Sequence, residues 1–260
     1  MKSLLTIVIA GMFFVIFSGC KKSESDSPTS PGSTTNYFPS NEGTYYKYSY
    51  SRTDSAGIST GIRTTNYKGT ITINGTPYKI QIDSLLISPS LQVDSTFFRS
   101  TSSGIYYYMD TTGFAASITD SSLIPLIPYV LIDKELLGYV LPLQSGSSWP
   151  VFKINLTSPL VVTVVDVSAL VVGEEIIVLS LPIGPTNKNA LKIKYTMTLR
   201  LNPLSPVVQT YTAHAWLVQD IGPAKWEGCG TLVNFFTGLG IDFADTTTVV
   251  SQSLVGYDVN

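Results

Sequence analysis

The chain is poor in the residues on which most catalytic centres are built. Among 260 residues there is one histidine, there are two cysteines, and Asp, Glu, Lys and Arg together reach only 13%. A lone histidine, His214, excludes metal sites made from two or three imidazoles, and no CxxC or clustered His, Cys and carboxylate spacing takes their place. A serine triad would have to use His214, yet no GxSxG elbow occurs, because Gly146-Ser147-Ser148-Trp149 lacks the second glycine. Basic charge is also missing: without residues 1–19, which hold Lys2 alone, 15 basic residues face 18 acidic ones. A net charge near −3 leaves no electrostatic footprint for nucleic acid. Helical periodicity is almost absent after Tyr37. The composition therefore predicts no enzyme, no cofactor and no metal.

What is present begins at the N-terminus. Lys2 precedes an apolar run from Leu4 to Phe17, fourteen residues long. As a helix this run spans about 21 Å at 1.5 Å per residue, short of a ~30 Å hydrocarbon layer. It reads as a secretory signal over residues 1–19. Phe17-Ser18-Gly19-Cys20 resembles a bacterial lipobox, two small residues before a cysteine that is acylated. The resemblance implies cleavage before Cys20 and a lipid anchor there, with palmitate among the acyl chains. Stable anchoring needs more than one chain, which a multiply acylated cysteine supplies.

Residues 21–36, KKSESDSPTSPGSTTN, contain no aliphatic or aromatic side chain. Such a segment cannot offset its ordering entropy by burial, so residues 20–36 are expected to be a lipidated tether. After acylation Cys229 would be the sole thiol, so no intrachain disulfide can form. Residues 37–260 would then be a single β domain stabilised by its core.

Asn74-Gly75 in TITINGTPYKIQID is a two-residue hairpin turn, because both positions favour positive φ. It predicts Ile73 opposite Thr76, Ile71 opposite Tyr78, Gly69 opposite Ile80 and Tyr67 opposite Ile82. Every large apolar residue would then share one face, with Lys68, Thr70, Lys79, Gln81 and Asp83 on the other. Pro77 marks an edge or a bulge. Residues 191–201 alternate without a break; joined to VVQTYTAHAWLV through NPLSP, they predict Met197 opposite Tyr211, Tyr195 opposite Ala213 and Leu191 opposite Leu217. His214 then lies opposite Lys194 on an outer face, and Lys192 opposite Trp216 in a cation–π pair. Residues 160–183 read as two central strands divided at Gly173-Glu174. The segment 122–143, broken by Pro125, Pro128 and Pro142, reads as a short apolar cap with a helical turn over 133–139. The fold class is all-β, an antiparallel sandwich or a partly open barrel.

Candidate chemistry is thin. A Cys229–His214 dyad is conceivable on consecutive strands, although Gly228-Cys229-Gly230 suits a bulge beside a buried thiol better. Glu174 and Glu175 are adjacent and would face opposite ways. Asp242 and Asp245 have loop spacing that could take calcium. Aromatics are the better clue to binding: Tyr46, Tyr48 and Tyr50 fall on one face of TYYKYSY, and residues 106–108 add three more tyrosines. Exposed, such rows would stack on sugar rings; inward, they are ordinary sheet packing. Trp216 and Trp226 are expected to pack across the hairpin that turns at 220–223.

Three landmarks together resemble the TapB-like group of bacterial envelope lipoproteins. They are Tyr37-Phe38-Pro39 with Gly43 and Tyr46-Lys47-Tyr48; Leu141-Pro142-Leu143 with Gly146-Ser147-Ser148-Trp149; and Trp216 with Ile221-Gly222-Pro223-Ala224-Lys225-Trp226-Glu227. The resemblance implies an all-β domain akin to open-barrel lipoprotein carriers, and it transfers no catalytic residue. The sequence thus predicts a non-enzymatic, monomeric lipoprotein, anchored by Cys20 to the cell envelope at the outer membrane. Its ligand would be an apolar molecule or an envelope component, or a surface glycan bound by the tyrosine rows.

Overall fold

The computed structural model describes residues 36–109, 128–157, 161–200, 208–237 and 246–260. The signal, Cys20 and the tether up to residue 35 lie outside these residues, as do 122–127 of the cap, the NPLSP loop, Asp242 and Asp245. Thirteen strands are described: β1 (Tyr45–Asp54), β2 (Gly57–Ile73), β3 (Thr76–Ile87), β4 (Ser90–Ser100), β5 (Gly104–Tyr108), β6 (Val130–Ile132) and β7 (Glu135–Val140). They continue with β8 (Ser148–Leu156), β9 (Val162–Leu181), β10 (Gly184–Leu199), β11 (Gln209–Val218), β12 (Gly222–Cys229) and β13 (Val249–Asp258). One short helix, α1 (Gly230–Thr237), follows β12.

All thirteen strands belong to one antiparallel sheet, in the order β6-β8-β9-β10-β11-β12-β13-β1-β2-β3-β4-β5-β7. A twisted sheet of this width must curl. Its two end strands, β6 and β7, are separated in sequence only by Asp133 and Lys134, so one segment joins both edges. The seam is fastened by side chains: Trp149 Nε1 donates to Leu137 O at 2.9 Å and Tyr195 Oη to Gly138 O at 3.0 Å. The result is a partly open β-barrel, the expected class. The helical turn expected over 133–139 is instead mostly β7, because pairing with β5 satisfies its backbone.

The Asn74-Gly75 turn forms as the sequence predicts, with φ of 50° and 80°. Pairing from Ile73↔Thr76 to Thr70↔Lys79 follows the expected register. Beyond that a bulge leaves Gly69 unpaired, and Lys68, not Gly69, meets Ile80. A one-residue slip turns every later side chain to the other face. Tyr67 therefore sits opposite Gln81; on β3, whose alternation is unbroken, it is the face of Gln81 and Asp83, expected outside, that is buried. Pro77 lies at an edge, since β4 pairs with β3 only from Lys79 onward.

The β10–β11 register matches the sequence reading at every expected pair, including Lys194↔His214 and Lys192↔Trp216. Leu191, Ile193, Tyr195, Met197 and Leu199 all point into the core. Residues 162–181, however, are one bent strand and not two. At Gly173, with φ of 147°, Val172 is bulged out between the pairs Lys192↔Gly173 and Ile193↔Val171. A glycine that reads as a chain reversal is here a bulge within a continuous ladder.

Helix α1 has no counterpart in the sequence reading. Leu232, Val233 and Phe236 are buried, and Phe236 lies 4.2 Å from the Tyr195 ring and 5.5 Å from the Trp226 ring. Phe235 meets Phe152 at 5.4 Å. The helix thus packs its apolar side chains into the barrel core.

Candidate functional site

Tyr46, Tyr48 and Tyr50 alternate along β1 as expected, but all three face inward and are buried. The exposed sugar-stacking row is corrected accordingly: the intervening Lys47, Ser49 and Ser51 take the outer face. Tyr46 Oη donates to Pro39 O at 3.0 Å and Tyr48 Oη to Pro223 O at 2.9 Å. Burial raises the pKa of all three phenols and keeps them neutral, with Tyr46 and Tyr48 as donors. Gly222 packs against the same group; a Cβ there would stand 2.8 Å from Tyr46 Oη. The first and third landmark stretches therefore meet in the core. Trp149, from the second, joins them through Tyr195, which stacks on Trp226 at 5.6 Å.

Beside the tyrosines lies a buried polar cluster that the sequence reading missed. Arg63 on β2 pairs with Asp83 on β3, and neither is appreciably exposed. Arg63 Nη1 donates to Gln252 Oε1 at 3.0 Å and Nη2 to the Thr237 carbonyl at 2.9 Å. Asp83 also accepts from Thr65 Oγ1 at 2.6 Å and Gln81 Nε2 at 2.7 Å. Its pKa is raised by burial, against the pull of Arg63, Thr65 and Gln81. The Arg63 guanidinium lies 5.1 Å from the Tyr48 ring centre. Arg63 Nε and Gln252 Nε2 have no partner among the described residues. The only sequence hint was Gly69, an isolated glycine inside a strand, which marks bulges.

The cluster borders a cavity of about 20 Å³ lined by Tyr48, Arg63, Gln81, Trp226 and Phe236 among others. Beneath α1 a second, between Phe152, Met197 and Phe235, measures about 10 Å³. Either has room for about one water and none for a lipid, since ligand pockets run to roughly 300–1,000 Å³.

The outer face is different. A groove of about 660 Å³ crosses β8, β9 and β10, bordered by Ser148, Pro150, Ser168, Leu170, Lys194 and Thr196. At one end Lys153 and Asp166 pair at 3.2 Å, both partly exposed. Where β8 meets β9 the ladder is bulged between Pro150 and Phe152, which breaks the flat run of strands there. Hydroxyls, an ion pair, a cation and one leucine give the groove mixed polarity.

Farther round, Lys192 and Lys225 approach the Trp216 ring at 4.9 and 4.5 Å. The indole N–H donates to Glu175, which also pairs with Lys192, and these bonds hold the Glu175 carboxyl below its ordinary pKa. Trp216 and Trp226 do not pack together as expected: Trp216 is opposite Lys225 and Trp226 opposite Ala215, which puts the indoles on opposite faces. His214 sits between Lys194 and Glu227, its pKa lowered by burial and by Lys192 and Lys194. Cys229 is buried, its Sγ 3.8 Å from the Thr246 carbonyl, and shares no hydrogen bond with His214 among the described residues. Across the barrel Arg99 forms a two-bond pair with Glu135, 2.6 Å each, over which Tyr106 and Tyr78 close. Among the described residues no three His, Cys, Asp or Glu side chains stand close enough to hold a metal.

No protein-family profile and no curated protein matches the chain. Two solved structures are similar over 86% of this chain and 99% of their own. One is a candidate lipoprotein of Parabacteroides distasonis, at 13% identity and a TM-score of 0.42. The other is a candidate exported protein with a YmcC-like fold from Bacteroides fragilis, at 11% identity and a TM-score of 0.45.

Proposed function

We propose that the chain is a lipid-anchored envelope lipoprotein of the bacterial outer membrane that works without catalysis, binding an envelope component on its outer surface. The anchoring half rests on the signal, the lipobox-like Phe17-Ser18-Gly19-Cys20 and the TapB-like landmarks. The binding half rests on one contrast among the described residues: cavities of about 10 and 20 Å³ inside the barrel against a groove of about 660 Å³ outside. Carriage of an apolar molecule would need a lined cavity; among the described residues the two interior cavities beside α1 and the Arg63 cluster hold about one water each. The groove's hydroxyls and paired charges suit a hydroxyl-rich envelope glycan instead, recognised by hydrogen bonds and Lys194 and not by the β1 tyrosines.

The test is titration of the acylated protein with soluble peptidoglycan and lipopolysaccharide-core fragments, followed by amide NMR. Shifts should centre on Leu170, Lys194 and Thr196. Lys194→Ala should weaken binding about tenfold or more, the value of a charged hydrogen bond at roughly 1.5–3 kcal/mol. Shifts confined to other faces, or a lipid that co-extracts stoichiometrically with the purified protein, would overturn the reading.

A further inference from the structure

The end of the β9–β10 hairpin carries exposed apolar side chains next to the start of the domain. β11 stops pairing with β10 at Ala190↔Val218, whereas β9 and β10 continue to Leu181↔Gly184. Six residues of β9, Ile176–Leu181, thus extend past the sheet, about 20 Å at ~3.3 Å per residue. One side, Ile177, Leu179 and Leu181, is buried. The other leaves Ile176 70% and Val178 62% exposed, and the apex residue Ile183 is 86% exposed. Turn apices favour Gly, Asn, Asp and Ser, so nothing local calls for isoleucine there. Residues 176–187 carry no charged side chain; Glu174 and Glu175 flank them on one side and Lys188 on the other. A bare apolar hairpin is an aggregation hazard unless something covers it.

Chain connectivity says what lies near. The Asp220 N–H donates to Asn36 O at 2.8 Å, which fixes the start of the domain on the β11–β12 turn, next to the point where the hairpin leaves the sheet. Only fifteen residues, or sixteen Cα–Cα steps, lie between Cys20 and Asn36. Fully extended they span at most about 58 Å at ~3.6 Å per residue. That reach exceeds the free length of the hairpin, so the tether permits the tip to meet the surface that holds Cys20.

We infer that Ile176, Val178 and Ile183 form a membrane-contacting face, seated in the bilayer that the acyl chains of Cys20 enter. The inference rests on the lipid-anchored reading above. Apolar side chains in the headgroup–acyl boundary add to an acyl anchor and fix which end of the barrel faces the lipid. The outer groove is then held at a set height and orientation above the membrane.

The test uses the full-length acylated protein in phosphatidylethanolamine–phosphatidylglycerol vesicles, with an environment-sensitive fluorophore at Ile183→Cys or, as control, at Leu91→Cys. Leu91 is exposed at the β3–β4 end, away from Asn36, and the buried Cys229 stays unlabelled. Intact mass first establishes acylation. The label at 183 should shift to the blue and be quenched by nitroxide lipids, while that at 91 should do neither. An acylated protein whose residue 183 stays unquenched, or whose two positions are quenched alike, overturns the inference and leaves the anchor standing. A protein without acyl chains on Cys20 overturns the anchor and the inference with it. A blue shift that precedes vesicle addition and depends on protein concentration means that a second copy covers the face, which also overturns it.

Discussion

Replacing Arg63 by methionine removes the cation from the barrel interior while keeping most of the side chain's bulk. Asp83, fully buried, would keep its bonds to Thr65 and Gln81 but lose the counter-charge that Arg63 supplies. The Thr237 carbonyl and Gln252 Oε1 would each lose a donor. Breaking one side of a buried pair costs about 3–5 kcal/mol, because the surviving charge stays desolvated. The double variant Arg63→Met/Asp83→Leu removes both charges, so its remaining loss should be about 1–3 kcal/mol from the unsatisfied groups. Urea unfolding followed by tryptophan fluorescence reads this well, since Trp226 packs beside the cluster. With a slope of ~1–3 kcal/mol/M, a loss of ~4 kcal/mol moves the midpoint down by roughly 1–4 M. The double variant should be more stable than either single. A midpoint for Arg63→Met close to that of the parent, or additive single losses in the double, would refute a buried, coupled pair and with it a filled interior.

Three further outcomes follow from local geometry. Gly222→Ala puts a Cβ 2.8 Å from Tyr46 Oη at φ of 104°, whereas Gly75→Ala, at φ of 80°, meets nothing within 4 Å. Backbone strain of about 1–3 kcal/mol applies to both, so thermal melts should show Gly222→Ala clearly the worse; equal melting temperatures would mean that the Tyr46 contact is not close. Phe236→Ala empties the space between Tyr195 and Trp226 and should cost about 3–5 kcal/mol in chemical denaturation, and a loss under about 1 kcal/mol would show that α1 does not fill the barrel. Acidification should weaken the fold through three groups. Glu135 and Glu175 are lowered from 4.5 by Arg99 and Trp216 respectively, so their contribution is present above that value and fades as pH falls below it. His214 is lowered from 6.5, so its contribution is present above 6.5 and fades as pH falls toward its folded value. Asp83, raised by burial, works in the opposite sense. Glu135→Gln should flatten the acid limb of a stability–pH curve, and an unchanged limb would exclude the Arg99–Glu135 pair as a contributor.

The elements that could be read from sequence are those in which turn chemistry and alternation agree. Asn74-Gly75 fixes its own hairpin for four pairs, and the unbroken alternation from Leu191 to Leu199 fixes the β10–β11 register. Gly69 and Gly173 defeat the reading, because each hides a bulge: one reverses the faces of β2 beyond it relative to β3, the other converts an apparent boundary into a bend. Alternation also says that Tyr46, Tyr48 and Tyr50 share a face without saying which face is inside, and amphipathic tyrosine suits either. Helix α1, at eight residues, is too short for a 3.6-residue period to show. The outer groove left no sequence signal at all, since ordinary Ser, Thr and Lys side chains from three strands build it only after pairing. Arg63 and Asp83 were likewise unremarkable until the bulge turned them toward each other.

The central claim, a lipid-anchored domain, is tested most directly by the intact mass of the mature protein recovered from membranes. The account predicts a chain that begins at Cys20, heavier than its peptide mass by more than one acyl chain, with palmitate label lost in Cys20→Ala. A mature chain that begins elsewhere, or a Cys20 with no added mass, would contradict it.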